Sequence, residues 1–359
     1  MLTRIAHTTA RRLGNASGAA TARAVPSAQG SGGARGYHVG SLAINSPARR
    51  TSINAPRRHV YEQRRRIHVG FQGSGVEQSA SSSVTSTGAA YQGTSHLIGG
   101  PGASQHSFVE RFFGGALQTD EGQKERLDDA KRHLVKAYRE GDDRVHISSH
   151  SRGAGNALLL AQELHEKGLV CPDSGEQVRP PGVPVHSFTV FDSVPHMGDG
   201  RMNVRDGEGG QANVEYEDPR ASLPGNVQHA QHYLAGGDKR APFRQANMPP
   251  ASAETASSHI IVPNATHKDV GGNPKGNPDA IGVVASEAVR NLHGAFPEEF
   301  SAAQVLPAEE HNRKLERLQE TEPAPGFMER MLGYFLPHER TFPDHAKPMA
   351  RRGEKDNRE

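Results

Sequence analysis

The sequence predicts an α/β protein: a mostly parallel sheet flanked by helices, with a disordered leader before it and a short helical extension after it. Two observations carry this. Between residues 63 and 300, short apolar runs of strand spacing alternate with longer segments of helical spacing, the order that builds parallel sheets. Outside that span, at 1–62 and 301–359, the strand signals stop.

The first strand is expected at 66–71, closed by the turn cluster Gln72-Gly73-Ser74-Gly75. A Ser/Thr/Gly-rich stretch at 78–93 reads as a long mobile loop. Over 119–139, Leu127, Ala130, Leu134, Val135 and Tyr138 recur at three- and four-residue steps, which predicts a helix ending near Gly141. A strand follows at 143–148. A helix at 154–167 carries Leu158, Leu159, Ala161 and Leu164 on its apolar face. Further strands are expected at 185–191 and 259–262. In the extension, 308–320 is a highly charged helix, and Phe327, Met331, Leu332, Phe335 and Leu336 make the apolar stripe of a second. Residues 347–359 read as a solvated tail.

Composition narrows the function classes. The 359 residues hold 42 Lys and Arg against 40 Asp and Glu, a net charge of +2, which argues against a dedicated nucleic-acid binder. Residues 1–61 contain nine Arg and no Lys, Asp or Glu, leaving 33 basic against 40 acidic residues elsewhere. That Arg-, Ser- and Gly-rich leader cannot bury enough apolar surface to offset chain ordering, and it suits a secretion or targeting segment. Cytoplasmic and organellar destinations stay open beside a secreted one. A single cysteine, Cys171, excludes an internal disulfide and a cysteine-based zinc site. No stretch approaches the 18 or so apolar residues of a membrane span. No His-Glu-x-x-His or similar helical ligand pairing is present, so neither a catalytic metal nor an organic cofactor is expected.

The chemistry concentrates at residues 145–155, Val-His-Ile-Ser-Ser-His-Ser-Arg-Gly-Ala-Gly, where a strand turns into a helix with Ser151 at the corner. Such an elbow lifts a hydroxyl above the carboxyl edge of the sheet and aims helix amides at the reacting centre. It needs small residues two before and two after the serine, here Ser149 and Gly153. A hydroxyl of ordinary acidity requires a base. His267, after the strand at 259–262, is the first candidate, with His196, His229 and His232 as alternatives. The orienting carboxylate is assigned to Asp192, at the end of the strand 185–191, with Asp199 and Asp269 as alternatives; Asp269 could instead stabilise its own Gly-rich turn. The order Ser151, Asp192, His267 is that of α/β-hydrolases, so the fold expected is α/β-hydrolase-like. The amide of Arg152 and one from the loop after the first strand, at Gly73, would form the oxyanion hole.

The run at 138–154, Tyr-Arg-Glu-Gly-Asp-Asp-Arg-Val-His-Ile-Ser-Ser-His-Ser-Arg-Gly-Ala, resembles the signature of bacterial type VI secretion phospholipase effectors. So do the opening strand and turn at 66–74, Phe191-Asp192-Ser193-Val194, the segment 229–243 with Asp238-Lys239-Arg240, and Thr266-His267-Lys268-Asp269-Val270-Gly271-Gly272. Gln72 stands where that family has Asp, and Ser149-His150 where it has Gly-Phe. The resemblance covers residues 64 to about 295. It implies a secreted serine esterase acting on phospholipid acyl esters, with Ser151, Asp192 and His267 as triad, contact with a membrane surface, and secretion machinery or an immunity protein as partners. A non-lipid acyl hydrolase and a non-catalytic binding module on the same fold are the alternatives.

Overall fold

The computed structural model describes residues 67–353 except 102, 104–119, 142, 195–200, 206–210, 216–220, 239–245, 274–275, 322–339 and 341. The expected leader at 1–62 and the second C-terminal helix, with Phe327, Met331, Leu332, Phe335 and Leu336, lie outside the described residues. In chain order the elements are β1 (Ile67–Phe71), α1 (Ser83–Ala90), β2 (Thr94–Ile98), α2 (Asp120–Arg139), β3 (Val145–His150), α3 (Gly153–Glu166), β4 (Leu169–Val170) and β5 (Gln177–Arg179). There follow β6 (Val185–Phe191), β7 (Arg201–Arg205), β8 (Gln211–Glu215), β9 (Val227–Ala235), β10 (Ala256–Val262), α4 (His267–Val270), α5 (Pro278–Ala295), α6 (Ala308–Glu320) and β11 (Lys347–Pro348).

Seven strands form one sheet in the order β11-β10-β9-β6-β3-β1-β2, and every pairing in it is parallel. The chain therefore has the α/β-hydrolase-like class expected from its sequence. β4–β5 and β7–β8 are separate antiparallel pairs. Parallel strands need both faces covered. Leu127, Leu134, Leu158 and Leu159 of α2 and α3 pack with Ile67, Val145, Ile147 and Phe188 in one cluster. Val84, Val283, Val284, Leu315 and Leu318 of α1, α5 and α6 pack with Phe191, Tyr233 and Val262 in another. All five apolar positions expected on α2 are buried, and Leu158, Leu159, Leu160 and Ala161 of α3 are each 0 % exposed. A helix apolar on every side at its middle is one enclosed by other elements.

Three expectations are corrected. The stretch 78–93 is not a loop throughout: α1 runs through it, and the hydroxyl of its N-cap Ser82 accepts from the Thr85 amide at 3.0 Å. Its small side chains let the helix lie close on the sheet, so the usual stripe of large apolar residues is missing. The solvated tail is not structureless at its start: Lys347 and Pro348, both exposed, pair with β10 at the sheet edge, and Met349 is 4 % exposed. The expected elements also omit β2, β9 and α5. β9, Val-Gln-His-Ala-Gln-His-Tyr-Leu-Ala, is a central strand with polar residues at many positions, because those side chains find partners inside the protein.

Several of these buried polar groups are histidines. His68 on β1 bonds the hydroxyls of Ser95 at 2.9 Å and Ser148 at 2.8 Å. His146 on β3 donates to the Glu299 carboxylate through one ring nitrogen, and its other nitrogen is hydrogen-bonded to the Ser187 hydroxyl at 2.8 Å. No helix among the described residues is long and apolar enough to cross a membrane.

Burial pushes His68, His150 and His232 from the ordinary 6.5 down to about 3, so the folded protein holds all three neutral. The unfolded chain binds these protons first, so stability is full above about pH 6.5 and falls as the pH drops toward 3. Urea unfolding should show a loss approaching about 1.4 kcal/mol per pH unit for each such histidine below pH 6. A midpoint unchanged between neutral and mildly acidic buffer would contradict the burial of these rings as neutral groups.

Candidate active site

β3 and β6 are neighbours in the sheet, and each ends in a residue forced out of the ordinary backbone regions. Ser151 has φ 55° and Asp192 has φ 47°, left-handed conformations that cost an L-residue about 1 kcal/mol or more. Backbone bonds hold both corners. The Ser151 amide donates to Phe191 O at 3.2 Å, the Val194 amide donates to Ser151 O at 3.2 Å, and the Asp192 amide donates to Tyr233 O at 2.8 Å. The requirement for glycine at 153 is steric: a Cβ there would lie 2.6 Å from the carbonyl oxygens of both Phe71 and Gln72.

His267 opens the one-turn helix α4 after β10. Its ring spans the two corners, with Nδ1 2.7 Å from Asp192 Oδ2 and Nε2 2.8 Å from Ser151 Oγ. An ionised carboxylate only accepts, so Nδ1 carries the proton, and bare Nε2 faces the serine hydroxyl as acceptor. The three side chains belong to buried residues: Ser151 and His267 are each 5 % exposed and Asp192 is 0 % exposed. The structure thus brings together the residues first named for nucleophile, carboxylate and base.

The alternatives sit elsewhere. Asp269 accepts from the Thr266 amide at 2.8 Å, from the Thr266 hydroxyl at 2.7 Å and from the Asn277 amide at 2.6 Å, so it holds the turn that carries His267. His232 accepts from the Ser193 amide at 3.3 Å, and the His229 ring packs on Phe296. His196 and Asp199 lie outside the described residues. The backbone of His267 is pinned by Asp238, named before only within the segment 229–243 and given no role there, which accepts from its amide at 2.9 Å.

One residue of the site was missed altogether. Arg340 forks onto Asp192, Nη1 to Oδ1 at 2.6 Å and Nη2 to Oδ2 at 3.0 Å, while Oδ1 also accepts from the Ala235 amide at 2.9 Å. Burial alone would raise the Asp192 carboxyl. The Arg340 charge and the His267 hydrogen bond outweigh it and hold the carboxyl far below the usual range. Nothing local in the sequence marks this arginine, since a bidentate partner is recognised only once the fold sets it opposite its carboxylate.

The loop after β1 comes close to Ser151. A Cβ built on Gly73 would lie 3.1 Å from Ser151 Cβ and 2.5 Å from His150 Nδ1. On the far side a Cβ on Gly271 would meet His150 Nε2 at 2.2 Å, so the His150 ring fills the gap between the two loops, 4.7 Å from the His267 ring. Gln72 anchors the loop to α1: Oε1 accepts from Ser82 Oγ at 2.9 Å and Nε2 donates to Thr85 Oγ1 at 3.0 Å. A neutral amide does both tasks at once, which an ionised aspartate cannot.

Arg152 is 8 % exposed, and its buried Nη1 has no hydrogen-bond partner among the described residues. Burial lowers it from 12.5 to about 10. One helical turn on, both polar atoms of the Asn156 amide are buried and unpartnered as well. Among the described residues, no group of three or more His, Cys, Asp or Glu side chains could hold a metal ion.

No family model matches the chain, and no curated protein matches it in sequence. Among solved structures it is similar to an uncharacterised protein from Pseudomonas aeruginosa, at 16 % identity and a TM-score of 0.40, covering 73 % of this chain and 51 % of that one. It is also similar to the Tle1 effector bound to the VgrG spike of the type 6 secretion system, at 15 % and 0.34, covering 60 % and 52 %. A third is dienelactone hydrolase from Anabaena variabilis, at 16 % and 0.34, covering 64 % and 86 %. The chain spans about half the length of the first two. Likeness this distant bears on no point of chemistry, which rests on the geometry of the site.

Replacing Asp269 by Ala removes three acceptor contacts beneath His267 and should destabilise the fold by about 2 kcal/mol or more in urea unfolding. A change under about 0.5 kcal/mol would deny Asp269 its role in the turn.

Proposed function

We propose that the protein is a serine hydrolase that cleaves acyl esters of phospholipids. The observation that carries the reading is the single imidazole of His267, 2.8 Å from a serine hydroxyl and 2.7 Å from a buried carboxylate. Ser151 Oγ attacks the ester carbonyl as its proton passes to His267 Nε2. Asp192 keeps the ring in the tautomer that leaves Nε2 bare and balances the imidazolium that forms. The amides of Arg152 and Gly73 receive the oxyanion of the tetrahedral intermediate. His267 then returns its proton to the leaving alcohol. Water, activated by the same nitrogen, frees the acyl group and regenerates the serine.

Arg152 supports an anionic substrate. A guanidinium so enclosed, with no carboxylate partner among the described residues, is costly, and a substrate phosphate would supply a partner beside the scissile bond. The Arg-rich leader and the resemblance of the motifs to type VI secretion phospholipase effectors support a secreted effector acting at a membrane surface, with secretion machinery or an immunity protein as partners.

Covalent labelling by a fluorophosphonate tests the nucleophile and base. The wild type should label, and Ser151→Ala should not; His267→Ala should label at least about 10³-fold more slowly. Labelling that persists in Ser151→Ala would discard the assignment. Retained biological action in that variant would favour the binding-module alternative.

Substrate class is read from esters of one acyl chain with and without a phosphate. Arg152→Met should lower the ratio of their kcat/KM values about tenfold or more, the worth of a charge-assisted hydrogen bond. An unchanged ratio would return the protein to the non-lipid acyl hydrolases.

A further inference from the structure

We propose that Arg340 is a positioning residue of this site, fixing the Asp192 carboxylate toward His267 and taking up part of its charge. The inference rests on the hydrolase reading. Its basis is the saturation of one carboxylate. Oδ1 takes Arg340 Nη1 at 2.6 Å and the Ala235 amide at 2.9 Å; Oδ2 takes His267 Nδ1 at 2.7 Å and Arg340 Nη2 at 3.0 Å. Arg340 Nη1 also donates to Ala235 O at 3.2 Å, and its side chain is 3 % exposed. With four donors in place Asp192 cannot turn, so the direction of its bond to His267 is set from behind.

The fork also changes what a proton meets at the imidazole. A lone buried carboxylate beside a histidine strongly favours the imidazolium. Here a guanidinium lies against that carboxylate and offsets part of its charge, while the same guanidinium is also held by the field of Asp238. The other groups facing the site do not replace it. His150 from β3 and His232 from β9 are held neutral by burial. Asp238, after β9, takes the His267 backbone amide, and Asp269 on α4 is occupied by Thr266 and Asn277. Among the described residues Arg340 is the cation hydrogen-bonded to the Asp192 carboxylate.

The rate of fluorophosphonate labelling of Ser151, followed in the full chain from about pH 4.5 to about 8.5, reads the proton-accepting ring. Arg340→Met should slow labelling about tenfold at neutral pH and move the acid limb up by about one pH unit. Arg340→Lys keeps the charge without the fork, so it should label slowly with the limb close to that of the wild type. Millimolar guanidinium, and not urea, should restore part of the Arg340→Met rate. A merely structural arginine would lower the rate and leave the limb in place. If Arg340→Met does not fold, the lysine variant decides: a wild-type rate would overturn the fork, and a raised limb would overturn the charge effect. A wild type that labels while both variants keep its limb overturns this proposal alone. A wild type that does not label strikes the hydrolase reading itself.

Discussion

One buried negative charge organises the centre of this molecule. Asp192 has no exposed surface, sits at a left-handed corner, and would be prohibitively costly as a lone ion. Everything near it answers that cost. The Ala235 amide, the His267 ring and the Arg340 fork all point at its two oxygens, and they come from the end of β9, the start of α4 and the segment before β11. The sheet order explains how they meet. β6 lies between β3 and β9, so the corner after it is flanked on one side by Ser151 and on the other by Ala235.

Strain is concentrated at the same place. Four described residues other than glycine have positive φ, and two of them are Ser151 and Asp192. Regular parallel strands do not end in such conformations unless their neighbours hold them there. The reciprocal bonds between the two corners, Ser151 to Phe191 and Val194 to Ser151, make the serine elbow and the aspartate elbow a single unit. The His150 ring, wedged between the backbones of Gly73 and Gly271, fills what would otherwise be a void beside the reacting atoms. The buried histidines of the sheet are met differently: His68 and His232 find hydroxyls or an amide, His146 also has the Glu299 carboxylate, and neither ring nitrogen of His150 has a hydrogen-bond partner among the described residues.

Much of this was legible in the sequence, where the signal is local. α2 and α3 announce themselves by apolar spacing, and α6 begins and ends where its charge pattern does. Ser151, Asp192 and His267 were readable because each follows a strand. The failures share a cause. α1 carries almost no large apolar side chain, and β9 is rich in His and Gln, so periodicity had little to register. Asp238 and Arg340 act by pairing across 29 and 148 residues of chain, and no local pattern encodes a partner so distant.

The place of Arg340 in chain order has a bearing on when the site becomes complete. Synthesis runs from the amino end, and domains begin to fold while later residues are still being added. The hydroxyl, the carboxylate and the imidazole all emerge well before the guanidinium that anchors them, since Arg340 follows α6. A nascent polypeptide can therefore carry Ser151, Asp192 and His267 and still lack Arg340. Until that point the buried Asp192 carboxylate lacks its guanidinium, so this corner of the fold is among the last to be finished.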